Sequence, residues 1–307
     1  MKPRDYGKTP ASRPLRQAGV SRRKVLDVGR DVLEVLAFVI FLILAKFAIF
    51  GIIHIVSPLS PPPRVGTAFG EVVNGTGAAV AVILYVGVIR FFEHRPVEEL
   101  ATPRKSIRAL ATGALLGVLL FSVVIATLLI TGHVHLFGGG SLATCGLAFL
   151  TALFAAIVEE TLFRGLLFRL LQRHAGTVPA LLISAVAFGL MHAGNPGATW
   201  LSSVAIALEA GLLLGAAYAS TKTLWFPIGL HTGWNFTESG IFGADVSGYS
   251  IAGLFRSEFS GPRWLTGGAF GPEAGLPAII VCLLATWVIL KRMHVQRPAR
   301  HLTVEVA

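Results

Sequence analysis

Long apolar blocks, broken by short polar stretches, run along almost the whole chain. Eight stand out, at about 32–56, 76–92, 108–131, 142–171, 178–193, 199–219, 224–242 and 275–291. A helix that crosses a bilayer needs about 20 mostly apolar residues. The pattern therefore predicts an all-α integral membrane protein with about eight transmembrane helices. It contains no internal repeat and no separate soluble stretch. The segment 57–75, with Pro61, Pro62 and Pro63, reads as a stiff external loop. The stretch 240–275 carries nine glycines, from Gly240 to Gly275. It reads equally as a flexible loop or as a cap over a cavity, since irregular backbone at membrane depth needs protein or water around it.

Composition supports this reading. Of 307 residues, 54% are hydrophobic and 14% charged, against about 25% charged in an ordinary soluble domain. The formal net charge of +10 does not point to nucleic acid. The basic residues flank the apolar blocks, where they meet anionic lipid headgroups. With the N-terminus in the cytoplasm, 21 of the 26 Lys and Arg residues fall on one side, as positive-inside orientation requires. Both termini are then cytoplasmic. The expected organisation is a basic segment at 1–31, one transmembrane domain over 32–292 with its catalytic core at about 142–275, and a tail at 293–307. The first apolar block is longer than the roughly 7–15 residues of a signal-peptide core, so it reads as a retained span. Cys145 and Cys282 lie in apolar stretches without metal-type spacing and read as core residues.

An ionisable group near the centre of a span costs at least about 2.5–3.5 kcal/mol, so each needs a reason. The fourth block contains Glu159, Glu160 and Arg164. Glu160 and Arg164, four apart, share a helix face and can pair, which leaves Glu159 about 100° round the helix without a local partner. An unpaired carboxyl in a low-dielectric site suits a general base; the same cluster would equally serve as a structural ion-pair network. The fifth block ends in Phe188-x-x-x-His192, and a lone histidine there is more often a hydrogen-bonded core residue. In the seventh, His231 and Asn235 stand one turn apart and point the same way. Together these supply a carboxylate, two imidazoles and an amide, the inventory for activating water and holding an oxyanion. Depths at about 1.5 Å per residue put Glu159 and His192 roughly 20 Å from the inner ends of their spans and His231 nearer 10 Å. This mismatch tells against a shared site unless the seventh helix starts deeper than the apolar pattern draws it, which Pro227 near its start allows. Glu209 is a remaining buried acid and a candidate supporting group. His133 and His135 read as an exposed loop pair with weak metal-binding potential. Lys46 and His54 read as snorkelling or lining a crevice, and His94, His174, His294 and His301 as surface.

Glu159-Glu160-x-x-x-Arg164, Phe188-x-x-x-His192 and His231-x-x-x-Asn235, in that order on separate apolar blocks, resemble the CPBP family of membrane proteases (CAAX-processing and bacteriocin-processing, also called Abi). That family includes the type II CAAX prenyl endopeptidases. The resemblance covers roughly 145–275. The runs Gly240-Ile241-Phe242-Gly243, Leu265-Thr266-Gly267-Gly268 and Phe270-Gly271-Pro272-Glu273 are similar to a bacterial branch of it. The resemblance implies an intramembrane endopeptidase in the cell membrane, a bacterial inner membrane by that likeness. Glu159 and His192 would activate water, His231 and Asn235 would stabilise the oxyanion, Glu160 and Arg164 would hold the helix, and Phe188 would pack beneath His192. The substrate would be a membrane-associated protein or peptide. A divalent metal such as zinc stays open; Glu159, His192 and His231 would be its ligands.

Other membrane proteases are set aside. There is no His-Glu-x-x-His, no Gly-x-Ser-x nucleophile motif inside an apolar block with a later histidine, and no aspartate within the interior of a span. The rival reading is a proton- or ion-coupled transporter using the same buried Glu/His cluster.

Overall fold

The computed structural model describes residues 16–56, 64, 66–100 and 103–295, with no side-chain description at 16–26, 50, 53–56, 103, 294 and 295. The start of the basic segment, Pro61–Pro63, the side chains of His54 and His294, and the tail from 296 with His301 lie outside the described residues.

The chain is an all-α integral membrane protein. Its main helices are α1 (Arg16–Val56), α2 (Ala68–Glu93), α3 (Pro103–Ile130), α4 (Leu142–Ala175), α5 (Thr177–Gly194), α6 (Trp200–Thr221), α7 (Trp225–Asn235, continued by the π turn Phe236–Ile241) and α8 (Leu276–Val295). Among the described residues, seven of these are long and apolar enough to cross a membrane; α7 is the exception. The surface confirms which solvent they face. Ile83, Leu115, Leu182, Leu201 and Leu284 are all exposed, an apolar coat that only lipid satisfies over so wide an area.

Three expectations about extent need correction. Helix α1 begins at Arg16, so the basic segment before residue 32 is partly helical. Helix α2 begins at Ala68, inside the stretch read as an external loop, because the Thr67 hydroxyl accepts from Gly70 N and caps the first turn. The loop reading also missed two short strands, β1 (Val134–Gly138) and β2 (Phe255–Phe259), which pair antiparallel with Val134 opposite Phe259. His135 lies in β1, and the ring of His133, only partly exposed, contacts Ser260 O at 2.9 Å. Their backbone and ring contacts are thus part of the cap's edge.

Helix α7 is short because it is enclosed by protein, not lipid; every residue from Pro227 to Trp234 is buried. It packs against α3 through two facing Gly-x-x-x-Gly pairs. A Cβ on Gly113 would stand 2.2 Å from Phe226 O, and one on Gly117 2.2 Å from Leu230 O. On the α7 side, a Cβ on Gly229 or Gly233 would stand 2.1 Å from Leu110 O or Ala114 O. Backbones this close draw their association from dispersion rather than from hydrophobic burial, which lipid does not supply. Gly233→Val is expected to destabilise the protein by about 1–3 kcal/mol or more through overpacking, read as a lowered melting temperature in detergent. An unchanged melting temperature would mean that the two helices do not meet this closely.

The opposite end of the bundle is tied by charge. Arg169 of α4 contacts Glu34 of α1 at 3.1 Å and Glu93 of α2 at 2.6 Å, and Arg173 contacts Asp31 at 3.4 Å and Glu93 at 3.0 Å. His174, expected at the surface, meets Asp31 at 2.6 Å. Arg95 bridges Glu93 and Glu99, both at 2.7 Å. Leu224, just before α7, donates its N–H to Glu99 O. Helix α7 is thereby anchored near the level of Arg169, not at the inner end of α4. That deeper start brings His231 level with Glu160, which removes the depth mismatch.

Candidate active site

Helix α4 starts on a reciprocal cap: Ser141 Oγ accepts from Thr144 N, and Thr144 Oγ1 accepts from Ser141 N. It then runs as regular helix to Glu160 and widens into a π-helical stretch over Thr161–Phe168. Such widening is common at functional positions. Glu160 and Arg164 sit at this junction and pair at 2.9 Å, with side chains 0% and 1% exposed. Arg164 Nη2 also donates to Ala210 O at 3.2 Å, and its guanidinium lies 4.5 Å from the centre of the Phe188 ring. The charge is thus met by a carboxylate, a carbonyl of α6 and an aromatic face.

The same Glu160 oxygen receives His231 Nδ1 of α7 at 3.0 Å. Sequence spacing could not show this contact, since no local pattern links residues 160 and 231. Phe188 lies within 4.8 Å of the His192 ring and 6.2 Å of the His231 ring, centre to centre. His192 closes α5 and donates from Nδ1 to Phe188 O at 2.8 Å. This bond leaves Nε2 for the interior. There it faces Glu159 Oε2 at 3.9 Å, too far for a direct hydrogen bond.

Glu159 is 21% exposed, but its Oε2 is buried without a hydrogen-bonding partner. Glu159, His192, His231 and Asn235 line one cavity of about 720 Å³. The cavity extends past Val158 and Phe154 to Lys46 of α1 and Asn74 of α2. Lys46 therefore lines the chamber.

The glycine-rich segment covers this cavity. Val246, Ser247, Tyr249 and Ile251 line it, strand β2 ties the segment to β1, and Gly248 N bonds to Phe270 O at 2.7 Å. A Cβ on Gly248 would stand 1.8 Å from Pro196 O, so the segment seats closely on the end of α5. It is a cap with a defined conformation.

Sequence reasoning treated Glu209 as a supporting acid; it lines the cavity itself and is 2% exposed. Its Oε2 receives the thiol of Cys282 at 3.5 Å, so Cys282 is more than plain core. Glu273, quoted only as part of a motif, also lines the cavity, and Glu238, overlooked, is buried on α7. Both lie where a membrane helix or cap tolerates acid only for a reason, and that was the available signal. Burial holds the Glu273 carboxyl above the usual carboxylate range.

Glu159, His192 and His231 do not fit a metal centre. Among the described residues, no three His, Cys, Asp or Glu side chains converge on one ion. No step below passes through a metal.

Residues 141–237 match the family model described as type II CAAX prenyl endopeptidase, Rce1-like. The match spans all of α4 to the end of the regular part of α7, and leaves out α1 to α3, the cap and α8. No curated protein and no solved structure matches the chain.

Proposed function

We propose that this chain, whose residues 141–237 match the Rce1-like type II CAAX prenyl endopeptidase family model, is an intramembrane endopeptidase of CPBP type. That family is a protease family, and the chain is a multi-pass membrane protein, so a membrane-associated substrate fits both. One observation carries the finer reading. Glu159 Oε2 and His192 Nε2 face each other at 3.9 Å in the wall of one cavity, a gap suited to one bridging water.

In this reading the water gives its proton to the Glu159–His192 pair. Its oxygen bonds to the scissile carbonyl carbon, and the carbonyl electrons move onto oxygen. Asn235 Nδ2 and His231 Nε2 face the oxyanion. Because His231 Nδ1–H is held by Glu160, an Nε2 donor requires the doubly protonated ring, and the Glu160 carboxylate balances that charge. Collapse breaks the C–N bond, and the proton passes to the leaving amine. Arg164 and Phe188 position Glu160 and the two imidazoles without touching substrate. The catalytic core is about 142–275 within one domain, 32–292, with the basic ends cytoplasmic and the protein in the cell membrane, bacterial by the family likeness.

Cleavage of a quenched fluorescent membrane-peptide library by detergent-purified protein tests the reading. Asn235→Ala is expected to lower kcat about 10²–10³-fold, the cost of one oxyanion donor, with KM little changed. Wild-type protein that cleaves nothing but carries protons or ions across liposomes would replace this reading with a transporter.

A further inference from the structure

Three buried carboxyls lie beside the catalytic pair without a role in the steps above: Glu209 of α6, Glu238 of α7 and Glu273 of the cap. Glu238 and Glu273 are the informative ones. Both Glu238 oxygens are fully buried without a side-chain donor; Oε1 lies 3.6 Å from where a Cβ on Gly271 would stand, and the groups beside them are the Glu273 carboxyl and the Glu273 backbone N–H. Two carboxylates in contact away from water repel strongly, and without a cation between them they share a proton.

The surroundings decide where the remaining charge rests. Glu273 Oε1 accepts from Ser247 N at 2.8 Å and from Ser247 Oγ at 2.7 Å. Ser247 adopts a left-handed backbone, φ +50°, unusual for a side-chain-bearing residue and a form of strain typical of functional positions. Glu238 is approached only by the Glu273 backbone N–H. Glu273 therefore carries the negative charge and Glu238 the proton. The charges around the pair are Glu209, capped by the Cys282 thiol, Arg164 beyond it, and His192, which lines the same cavity as Glu273.

We propose that Glu238 and Glu273 form a proton-sharing carboxyl pair behind the catalytic chamber, and that Glu273 acts as a positioning residue for His192. Its charge stabilises the imidazole while that ring holds the proton taken from the attacking water. The cap thus supplies part of the catalytic electrostatics as well as shelter. Since Glu273 and Ser247 both belong to the cap, the charge faces His192 only with the cap seated.

This inference rests on the peptidase reading, and two measurements separate their failures. In the first, the infrared spectrum of substrate-free protein is recorded for wild type and Glu238→Gln. The expected difference is the loss of a protonated-carboxyl C=O stretch, and spectra without that loss would overturn the pair whatever the protein cleaves. In the second, Glu273→Gln is expected to lower kcat roughly 10- to 100-fold at unchanged KM, the range for losing one charge near a forming cation in a partly shielded site. Wild-type kcat, or a rise in KM alone, would overturn the role. Should Glu273→Gln fail to fold, Ser247→Ala keeps the carboxyl and removes one of its donors; a smaller drop in kcat is then expected, and no drop would count against the proposal. Wild-type protein that cleaves nothing fails the peptidase reading, and this role with it, while the infrared band still reports on the pair.

Discussion

Glu159→Gln is expected to reduce cleavage by at least about 10²–10⁴-fold, the range for loss of a general base, while the protein inserts and melts as wild type does. The reasoning begins with what the carboxylate does not do. Its Oε2 has no hydrogen-bonding partner, and the cation one turn away is taken by its neighbour Glu160. The amide is nearly isosteric, so the wall of the cavity that Glu159 shares with Val158 and Phe188 keeps its shape. What the amide lacks is a basic oxygen facing His192 Nε2. Turnover in the peptide-library assay, beside a melting curve of each protein, checks this. Full activity in Glu159→Gln would remove Glu159 from the chemistry and move attention to Glu273 or Glu209.

Arg164→Ala is expected to produce the largest loss of stability, about 3–5 kcal/mol for breaking a buried pair by deleting one partner. Arg164 is 1% exposed, and three things depend on it: the charge of Glu160, the carbonyl of Ala210 and the face of Phe188. Removing it leaves Glu160 with only His231 for a partner, at the junction where α4 widens. A melting temperature in detergent close to wild type would mean that water reaches this pair. The double variant Glu160→Gln with Arg164→Met is expected to recover part of the loss, since no uncompensated charge remains and the Gln oxygen still accepts from His231 Nδ1. Stability regained without activity would separate the structural work of Glu160 from its role beside His231.

The helices that face lipid were legible in the sequence, because burial in hydrocarbon leaves long apolar runs and little else. Helix α7 carries a weaker imprint. It is wrapped by protein, so it can be short and hold His231, Asn235 and Glu238 without cost to a lipid-facing surface. The i,i+4 relation between Glu160 and Arg164 is a property of any helix and could be read from spacing alone. The contact of Glu160 with His231 could not, as it depends on how far α7 sinks before it starts. The paired Gly-x-x-x-Gly faces of α3 and α7 were present in the sequence, but they acquire meaning only when the two helices are seen to meet along them.

By itself the sequence determined which solvent this protein lives in and which residues are too polar to stand in lipid without a partner. Both follow from local free energies of transfer, which each segment carries alone. Tertiary structure decided which partner each polar residue has. It set the level of α7 through Leu224 and Glu99, turned a glycine-rich stretch into a cap, and put Glu273 in the wall of the cavity that His192 lines. Those outcomes depend on close backbone packing and on buried charges finding each other across distant segments, and no periodicity along the chain records such pairings.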